Sequence, residues 1–486
     1  MYQGITPLFT KLKQMDSNNP LSFHVPGHKN GQIYDNKAID YYGKMLKIDM
    51  TELPDLDDLH APTGVIREAE ALATSFFQSE HTFFLVGGST AGNLAMILAV
   101  CNEGDKVIVQ RNSHKSIING LELSGANPIF ITPEYDQQLG RYTNPSIETL
   151  QKALKLHPDA KAVVLTYPDY FGITYPIREM IEIAHSYNIP VLVDEAHGVH
   201  FSLGSPFPTS SLHLGADIVV QSAHKMAPAM TMASYLHIRT EFDLMDKVAH
   251  YLELLQSSSP SYPLMASLDI ARHYLATLDR NDLHAIEQSV LNVRNILSES
   301  NHWSVVPISE KSDLLKITLH VKHGLSTEEV VRAFEKEQVY TELSTHNQIL
   351  FIHGLAPFGK VKDLKKAVKS VNEQLINRVK HATIDISKLF NEQIQGLVFS
   401  YQTMKRLSHI VVPIDQGMNQ IAAESVIPYP PGVPIILKGE RITAAHIEAI
   451  QHLLSQGVKI QQRHTGIKIY SKENTGRPVS DVPPGL

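Results

Sequence analysis

Lys225 stands in Ser222-Ala223-His224-Lys225, just after the apolar run Ile218-Val219-Val220, which is entered through Gly215-Ala216-Asp217. The β-branched run predicts a buried strand that delivers the lysine to its end. Desolvation disfavours the ammonium and lowers its pKa, which frees a neutral amine for imine chemistry with an aldehyde. Taken alone, such a lysine snorkels to solvent more often than it reacts. Its company upstream changes that balance. The run PVLVDEAHG (Pro190 to Gly198) ends in Asp194, with His197 three residues on. A carboxylate at the end of a buried strand requires a partner. A protonated pyridine nitrogen is one such partner, because the carboxylate would keep that ring cationic and able to accept electrons. The structural alternative is an aspartate that caps a helix or pairs with a basic side chain.

Two further groups fall at strand ends. Gly87-Gly88-Ser89-Thr90-Ala91-Gly92-Asn93 joins the strand-like TFFLV to the helical LAMILAV. Glycines let the backbone approach an anion, while Ser89, Thr90 and the first helical N–H groups, Ala91 included, donate to it with the help of the helix dipole. The segment reads as a phosphate cup, or more blandly as an N-capped helix. It lacks the GKS or GKT ending of a P-loop and the glycine spacing of a dinucleotide fingerprint. Arg111-Asn112-Ser113-His114-Lys115-Ser116 follows KVIVQ, with His114 placed to stack on a flat ring and Ser113 or Ser116 expected to cap the next helix. DEAH strings also occur in helicases, but the Walker A loop those need is missing. An anion cup, an aspartate, a stacking histidine and a strand-end lysine together match what pyridoxal 5′-phosphate requires.

The elements that must position these residues run from Thr82 to about Ile238. Short apolar runs (TFFLV, KVIVQ, PIFIT, AVVLTYP, IPVLVDEA, DIVVQ) alternate with helical patterns. Such alternation predicts a mostly parallel sheet wrapped by helices, an α/β fold in which ligands gather at the carboxyl ends of the strands. Asp194 and Lys225 lie on successive strands, so both can reach one ring. Before this region, residues 1–50 read as an arm and loop, with His24, His28 and Lys29 in SFHVPGHKNG as candidates to face a site or to form a polar surface loop. The remaining boundaries are a major domain at 51–290, a small α/β domain at 291–382 with strands in DLLKITLHV and QILFIHGL, and a C-terminal domain at 383–486 with a proline-rich loop and a mobile tail after Ser471.

Composition narrows the class. A chain of 486 residues is too long for one compact domain, and its net charge of −7, with no Lys/Arg block, argues against a nucleic-acid surface. Cys101 is the sole cysteine and sits in an apolar helical pattern, which excludes an intrachain disulfide and predicts a buried inert thiol; no metal-ligand spacing is present. The N-terminus, MYQGITPLFTKLKQM, lacks the build of a signal peptide, and no apolar run approaches the ~20 residues of a membrane span, so the cytoplasm is the expected compartment.

The chain resembles the fold-type I pyridoxal-phosphate enzymes and, more closely, the prokaryotic ornithine/lysine/arginine decarboxylase family, in its shorter Gram-positive form without an N-terminal wing domain. HVPGHKNG, LDDLHAPTGVIREAE, GGSTAGN, RNSHKS, LVDEAHG, SAHK, SSSPSYPLMASLD and IPYPPGVPIILKGERIT carry the resemblance. It implies a transferase-like large domain, a small domain and a C-terminal domain. It also implies that Lys225 forms the imine, Asp194 pairs with the ring nitrogen, Ser89, Thr90, Ser222 and His224 bind phosphate, and His114 stacks on the ring. His197 occupies a position where some relatives carry tryptophan. Ser258 and Ser259 match the part that reaches a neighbouring subunit's cofactor, which implies a homodimer or higher homo-oligomer with shared sites. Met226-Ala227-Pro228 departs from the leucine-rich string of several relatives and leaves the substrate side of the pocket open.

The implied reaction is decarboxylation of arginine, lysine or ornithine, with Lys225, or His197 through water, returning a proton to the α-carbon. Asp55, Asp57, Asp58 and Glu342 are candidates for holding a distal substrate cation, each with a solvated surface role as the alternative. Two other readings compete. An aminotransferase would share the cofactor bed but needs an arginine for the α-carboxylate, and a catalytically silent homologue would bind the cofactor without turnover.

Overall fold

The computed structural model describes residues 1–376, 386–390, 392–428, 432–455, 460, 462 and 464–471. The expected tail after Ser471, the boundary at 382 and 383, residues 429–431 of the proline-rich loop and the end of the helical KDLKKAVKSVNEQLINRVK lie outside the described residues.

The predicted apolar runs are strands. In chain order they are β1 (His81–Leu85), β2 (Lys106–Gln110), β3 (Asn127–Ile131), a short hairpin of β4 (Tyr135–Asp136) and β5 (Arg141–Tyr142), then β6 (Val163–Thr166), β7 (Val191–Asp194), β8 (Ile218–Gln221) and β9 (Ser234–Ile238). A small antiparallel sheet holds β10 (Trp303–Val305), β11 (Lys316–Val321), β12 (Leu343–Ser344) and β13 (Gln348–Ile352), and the chain continues with β14 (Ile394–Gly396), β15 (His409–Val412) and β16 (Ile467–Tyr470). The main sheet has the order β1-β9-β8-β7-β6-β2-β3-β14. Its middle, from β8 to β3, is parallel, and only β9 and β14 run against it.

Every residue of β7 and β8 is buried, as expected where helices cover both faces. The strand period of two sorts the side chains. Ile108, Val163, Leu165, Val191, Val193 and Val219 join a core with Leu150, Met180 and Ile181 of the helices Ile147–Leu156 and Ile177–Ser186. Val107, Val109, Val164, Leu192, Ile218 and Val220 join another with Met96, Ile97, Ile117 and Leu121 of the helices Gly88–Val100 and Lys115–Ser124. Gly92 lets the first of these lie tightly on the sheet, because a Cβ there would stand 2.7 Å from Leu85 Cδ1 and 3.0 Å from Val220 Cγ1. That contact brings the start of the helix to the carboxyl edge of the strands.

The N-terminal arm contains helices that its sequence does not announce, Pro7–Ser17 and Ile39–Leu46. Tertiary contacts explain the first. Leu8 and Leu12 are fully buried, Asp269 accepts the Leu8 N–H at 3.1 Å, and Arg272 donates to the carbonyls of Gln3 and Ile5 at 2.6 Å each. Farther on, the helix Arg280–Leu297 runs unbroken through residue 290.

Two devices hold the later segments against the main sheet. β13 pairs with β11, and the loop before β11 bonds to the loop after β6 through Asp313 N to Gly172 O (2.7 Å) and Thr174 N to Lys311 O (2.8 Å). β14 pairs with β3, and the fully buried Arg111 donates to Pro434 O (2.9 Å), Ile435 O (3.0 Å) and Glu440 Oε2 (2.7 Å). Arg111 follows β2 directly, so the C-terminal segment is seated at the same sheet edge as His114.

Candidate active site

A cavity of about 300 Å³ lies at the carboxyl ends of β2, β6, β7 and β8. Ser89, His114, Asp194, His197 and Lys225 line it, so the structure gathers five of the predicted residues on one wall. Thr327, Ser344 and His346 close it from the small sheet side, and Phe390, Pro434 and Ile435 close it from the C-terminal segment.

Asp194 ends β7 and is 4 % exposed. It accepts hydrogen bonds from Asn93 Nδ2 at 2.9 Å and from the Ala196 N–H at 3.2 Å, and among the described residues no basic side chain pairs with it. A buried carboxylate with its amide donors in place but no counter-cation, facing a cavity, fits a protonated ring nitrogen. The alternatives of a helix cap or an ion pair do not describe it.

Lys225 follows β8 in the short helix Ala223–Met226. Burial lowers its pKa, and the charges of Asp194 and Glu342 partly restore it. Its Nζ is 3.3 Å from His197 Nε2 and 5.7 Å from the centre of the Tyr170 ring. His197 is held well below the usual imidazole range, first by burial and then by Lys225 and Lys316. Tyr170 packs on it at 4.5 Å between ring centres.

His114 is itself the N-cap of the helix Lys115–Ser124, where the sequence predicts Ser113 or Ser116 in that role. The imidazole accepts the Ser116 N–H at 3.2 Å, and its Nδ1 is 2.8 Å from Ser116 Oγ. A histidine can cap because Nδ1 stands at the same bond separation from Cα as the Oδ1 of an Asp or Asn cap, one bond farther than a serine Oγ. Asn93 Nδ2 also donates to Ser116 Oγ at 2.9 Å, which ties the histidine-bearing turn to Asp194. Burial lowers the His114 pKa.

The loop expected to form an anion cup leads into a helix. Gly88 opens the helix Gly88–Val100 with φ +75°, and Ser222 Oγ donates to Ser89 Oγ at 2.8 Å across the gap between β8 and that helix. Ala91 is buried in the first turn, whereas the Thr90 side chain is exposed and not on the cavity wall. His224 Nδ1 is 3.2 Å from Ala233 O, and the residue stands outside the cavity lining. Together the serine pair, the open N–H groups of the first turn and the lone carboxylate fit the phosphate and the ring of pyridoxal 5′-phosphate.

Other candidates separate clearly. Ser258 and Ser259 are exposed and away from the cavity of their own chain. Asp57 is consumed as a cap, accepting the N–H groups of Thr63, Gly64 and Ile66 at 2.8, 2.7 and 3.0 Å, and Asp55 pairs with Lys11 at the surface. Asp58 is part of the same turn and accepts the His60 N–H at 2.8 Å. Glu342 accepts from the Tyr170 hydroxyl at 3.4 Å and its charge is felt by Lys225 and His224. His28 pairs with Asp49 at 3.2 Å and Lys29 bonds the His24 carbonyl, so the loop carrying them does not line the cavity. Cys101 is buried, and its thiol is pushed up to about 12.

Four residues of the site are assigned by the structure alone: Asn93, Tyr170, Arg141 and Lys316. Arg141 lines the cavity but is already paired with Asp169 at 2.5 Å and stacked on Phe171 at 4.3 Å, so it is not a ready clamp for an α-carboxylate. Lys316 places its Nζ 2.8 Å from His197 Nδ1. A lysine inside the apolar DLLKITLHV was the one signal in the sequence that pointed to it.

The chain matches the family described as Orn/Lys/Arg decarboxylase, major domain, over residues 6–316, and the corresponding C-terminal domain over residues 387–469. It is 42 % identical over 461 residues to the uncharacterised protein YaaO of Bacillus subtilis, covering 94 % of this chain and 96 % of that one. It is 36 % identical over 480 residues to an arginine decarboxylase of the same species, covering 95 % and 96 %. Among solved structures, the lysine decarboxylase LdcF of Francisella novicida superimposes with a TM-score of 0.79 at 19 % identity, over 96 % of this chain and 81 % of that one.

Proposed function

The chain belongs to the Orn/Lys/Arg decarboxylase family, and from that premise we propose that it is a pyridoxal 5′-phosphate-dependent lyase that removes the α-carboxylate of arginine, lysine or ornithine, giving agmatine, cadaverine or putrescine. The observation that carries this reading is the presence of Lys225 and Asp194, delivered by adjacent strands, on the wall of one cavity.

The bound cofactor supplies an electron sink for the pair left on the α-carbon as CO2 departs. Lys225 would hold the aldehyde, and burial, by lowering its pKa, favours the neutral amine. Asp194 would hold the ring nitrogen, with Asn93 Nδ2 orienting its carboxylate. Ser89, Ser222, His224 and the N–H groups of Thr90 and Ala91 would hold the phosphate at a helix N-terminus, and His114 would hold the ring. Lys225 would also be the group placed to hand a proton to the substrate's α-carbon, with His197 Nε2 3.3 Å from its Nζ. The departing carboxylate loses its charge, so the apolar wall supplied by Phe171, Leu389 and Phe390 favours the transition state over the ground state.

Of the four predicted carboxylates, Glu342 is assigned to the distal cation of the substrate, since Asp55, Asp57 and Asp58 serve the surface turn before the helix Val65–Phe77. A second copy of the chain is assigned to the exposed apolar arm, where Leu21, Phe23 and Tyr41 are 86 %, 94 % and 88 % exposed, with Ser258 and Ser259 reaching the neighbouring cofactor. Cofactor binding falls to residues 51–290, flanked by the small domain at 291–382 and the C-terminal domain at 383–486. The proposed compartment is the cytoplasm. Among the described residues no helix is long and apolar enough to cross a membrane.

Release of labelled CO2 from carboxyl-labelled arginine, lysine and ornithine tests the proposal. Release from at least one is expected. A cofactor-loaded protein that releases none would defeat it.

A further inference from the structure

His197 lies between two lysines from different parts of the chain. Its Nδ1 is 2.8 Å from Lys316 Nζ and its Nε2 is 3.3 Å from Lys225 Nζ. A neutral imidazole has one acceptor nitrogen and one donor N–H. Two ammonium groups therefore cannot both donate to it, and one of the two amines must receive the ring N–H. Lys316 makes the shorter contact; burial disfavours its charge, and the carboxylates of Asp313, Glu342 and Asp169 favour it. Lys225 is the amine that has to be unprotonated to react. We propose that Lys316 is a positioning residue that donates to Nδ1, fixes His197 as its Nε2–H tautomer and so presents a proton donor to the nitrogen of Lys225. The inference rests on the decarboxylase reading for its use, though not for its geometry.

The placement of Lys316 is built rather than incidental. It opens β11, is 4 % exposed, and runs its stem across Gly172. A Cβ at Gly172 would stand 2.5 Å from Lys316 Cγ, and that glycine holds φ +82°, so the turn admits this side chain only because position 172 carries none. Asp313, just before β11, accepts from His200 Nε2 at 3.0 Å, with both side chains fully buried. On its other face the His197 ring meets Tyr170 at an interplanar angle of 58°. The imidazole is thus fixed in position by the main-sheet loops and in tautomer by the small sheet. Burial keeps the ring uncharged, and Lys316 itself is pushed down only to about 8, so it remains mostly charged near neutrality.

Long-range nitrogen–proton spectra of the cofactor-loaded protein with labelled histidine read the tautomer directly, the His197 signals being assigned by their loss in His197→Gln. A protonated Nε2 and a bare Nδ1 are expected; a protonated Nδ1 would overturn the proposal. Lys316→Met keeps the stem but removes the donor. It is expected to bind the cofactor, hold KM within about threefold and lower kcat by about tenfold or more, the pattern of an interaction used in the transition state. A Lys316→Met protein with the kcat of the parent would overturn it equally. Should that variant not fold, the parent's tautomer decides alone. The spectra need no turnover, so a failure to decarboxylate any amino acid would remove the proposed function and leave the tautomer result standing.

Discussion

Asn93 donates its side-chain amide to Asp194 at 2.9 Å from one turn inside the helix that forms the anion cup. The contact ties the start of the helix Gly88–Val100 to the end of β7, so the proposed phosphate cup and the proposed partner of the ring nitrogen would be held as one unit. Replacing Asn93 with Ala leaves Asp194, among the described residues, with the Ala196 N–H as its donor. A hydrogen bond to a buried charged group contributes about 1.5–3 kcal/mol. Asn93→Ala should therefore bind pyridoxal 5′-phosphate roughly 10-fold to 100-fold more weakly, which equilibrium titration of the apoprotein would measure.

Glu342 differs from the other predicted acids in that its charge acts on Lys225 and it accepts the Tyr170 hydroxyl at 3.4 Å, although it is exposed and off the cavity lining. Glu342→Gln should raise KM for the basic substrate by on the order of 10-fold to 100-fold, the worth of one charge-assisted hydrogen bond, with a smaller effect on kcat. Steady-state kinetics on the preferred substrate would show it. An unchanged KM would return the distal-cation role to another residue.

Arg111 joins the C-terminal segment to the end of β2 through three bonds, one of them to Glu440 at 2.7 Å. Removing one partner of a buried ion pair costs about 3–5 kcal/mol. Arg111→Met should lower stability by that order and raise amide exchange in residues 432–442, whose Pro434 and Ile435 wall the cavity. Hydrogen exchange would localise the loss, and a uniform change across the chain would contradict the assignment.

Glu70 is fully buried, accepts the Phe84 N–H at 2.9 Å and has its pKa pushed up by burial from 4.5 to about 8. The folded state therefore keeps a proton that the unfolded chain releases, and stability contributed by this group is complete below pH ~4.5 and lost as pH rises through about 8. Glu70→Gln removes the ionisation. Its Tm should fall less than the parent's between pH 5 and pH 8, as thermal scans at a series of pH values would show.

The sheet was legible because its strands are short β-branched runs whose burial on both faces leaves a plain apolar signature, as in Val191-Leu192-Val193 and Ile218-Val219-Val220. Lys225, Asp194, Ser89 and His114 were legible because each closes or follows such a run, where an α/β sheet places its ligands. Local reasoning failed where long-range packing decides. Lys316 reaches His197 across 119 positions of sequence. The helix Pro7–Ser17 buries Leu8 and Leu12 against the distant helices Val65–Phe77 and Tyr262–Thr277, where Asp269 accepts the Leu8 N–H. Asn93 reads as one polar residue in a glycine-rich loop until Asp194 is placed beside it. The capping role of His114 escaped for a different reason: the expectation rested on serine frequencies, and the imidazole Nδ1 meets the same need.

The covalent link is the most direct test of the whole account. Borohydride reduction of the cofactor-loaded protein, followed by peptide mapping, should place the pyridoxyl group on Lys225 and on no other lysine. A label on Lys316 or elsewhere, or no label on a protein that holds the cofactor, would contradict it.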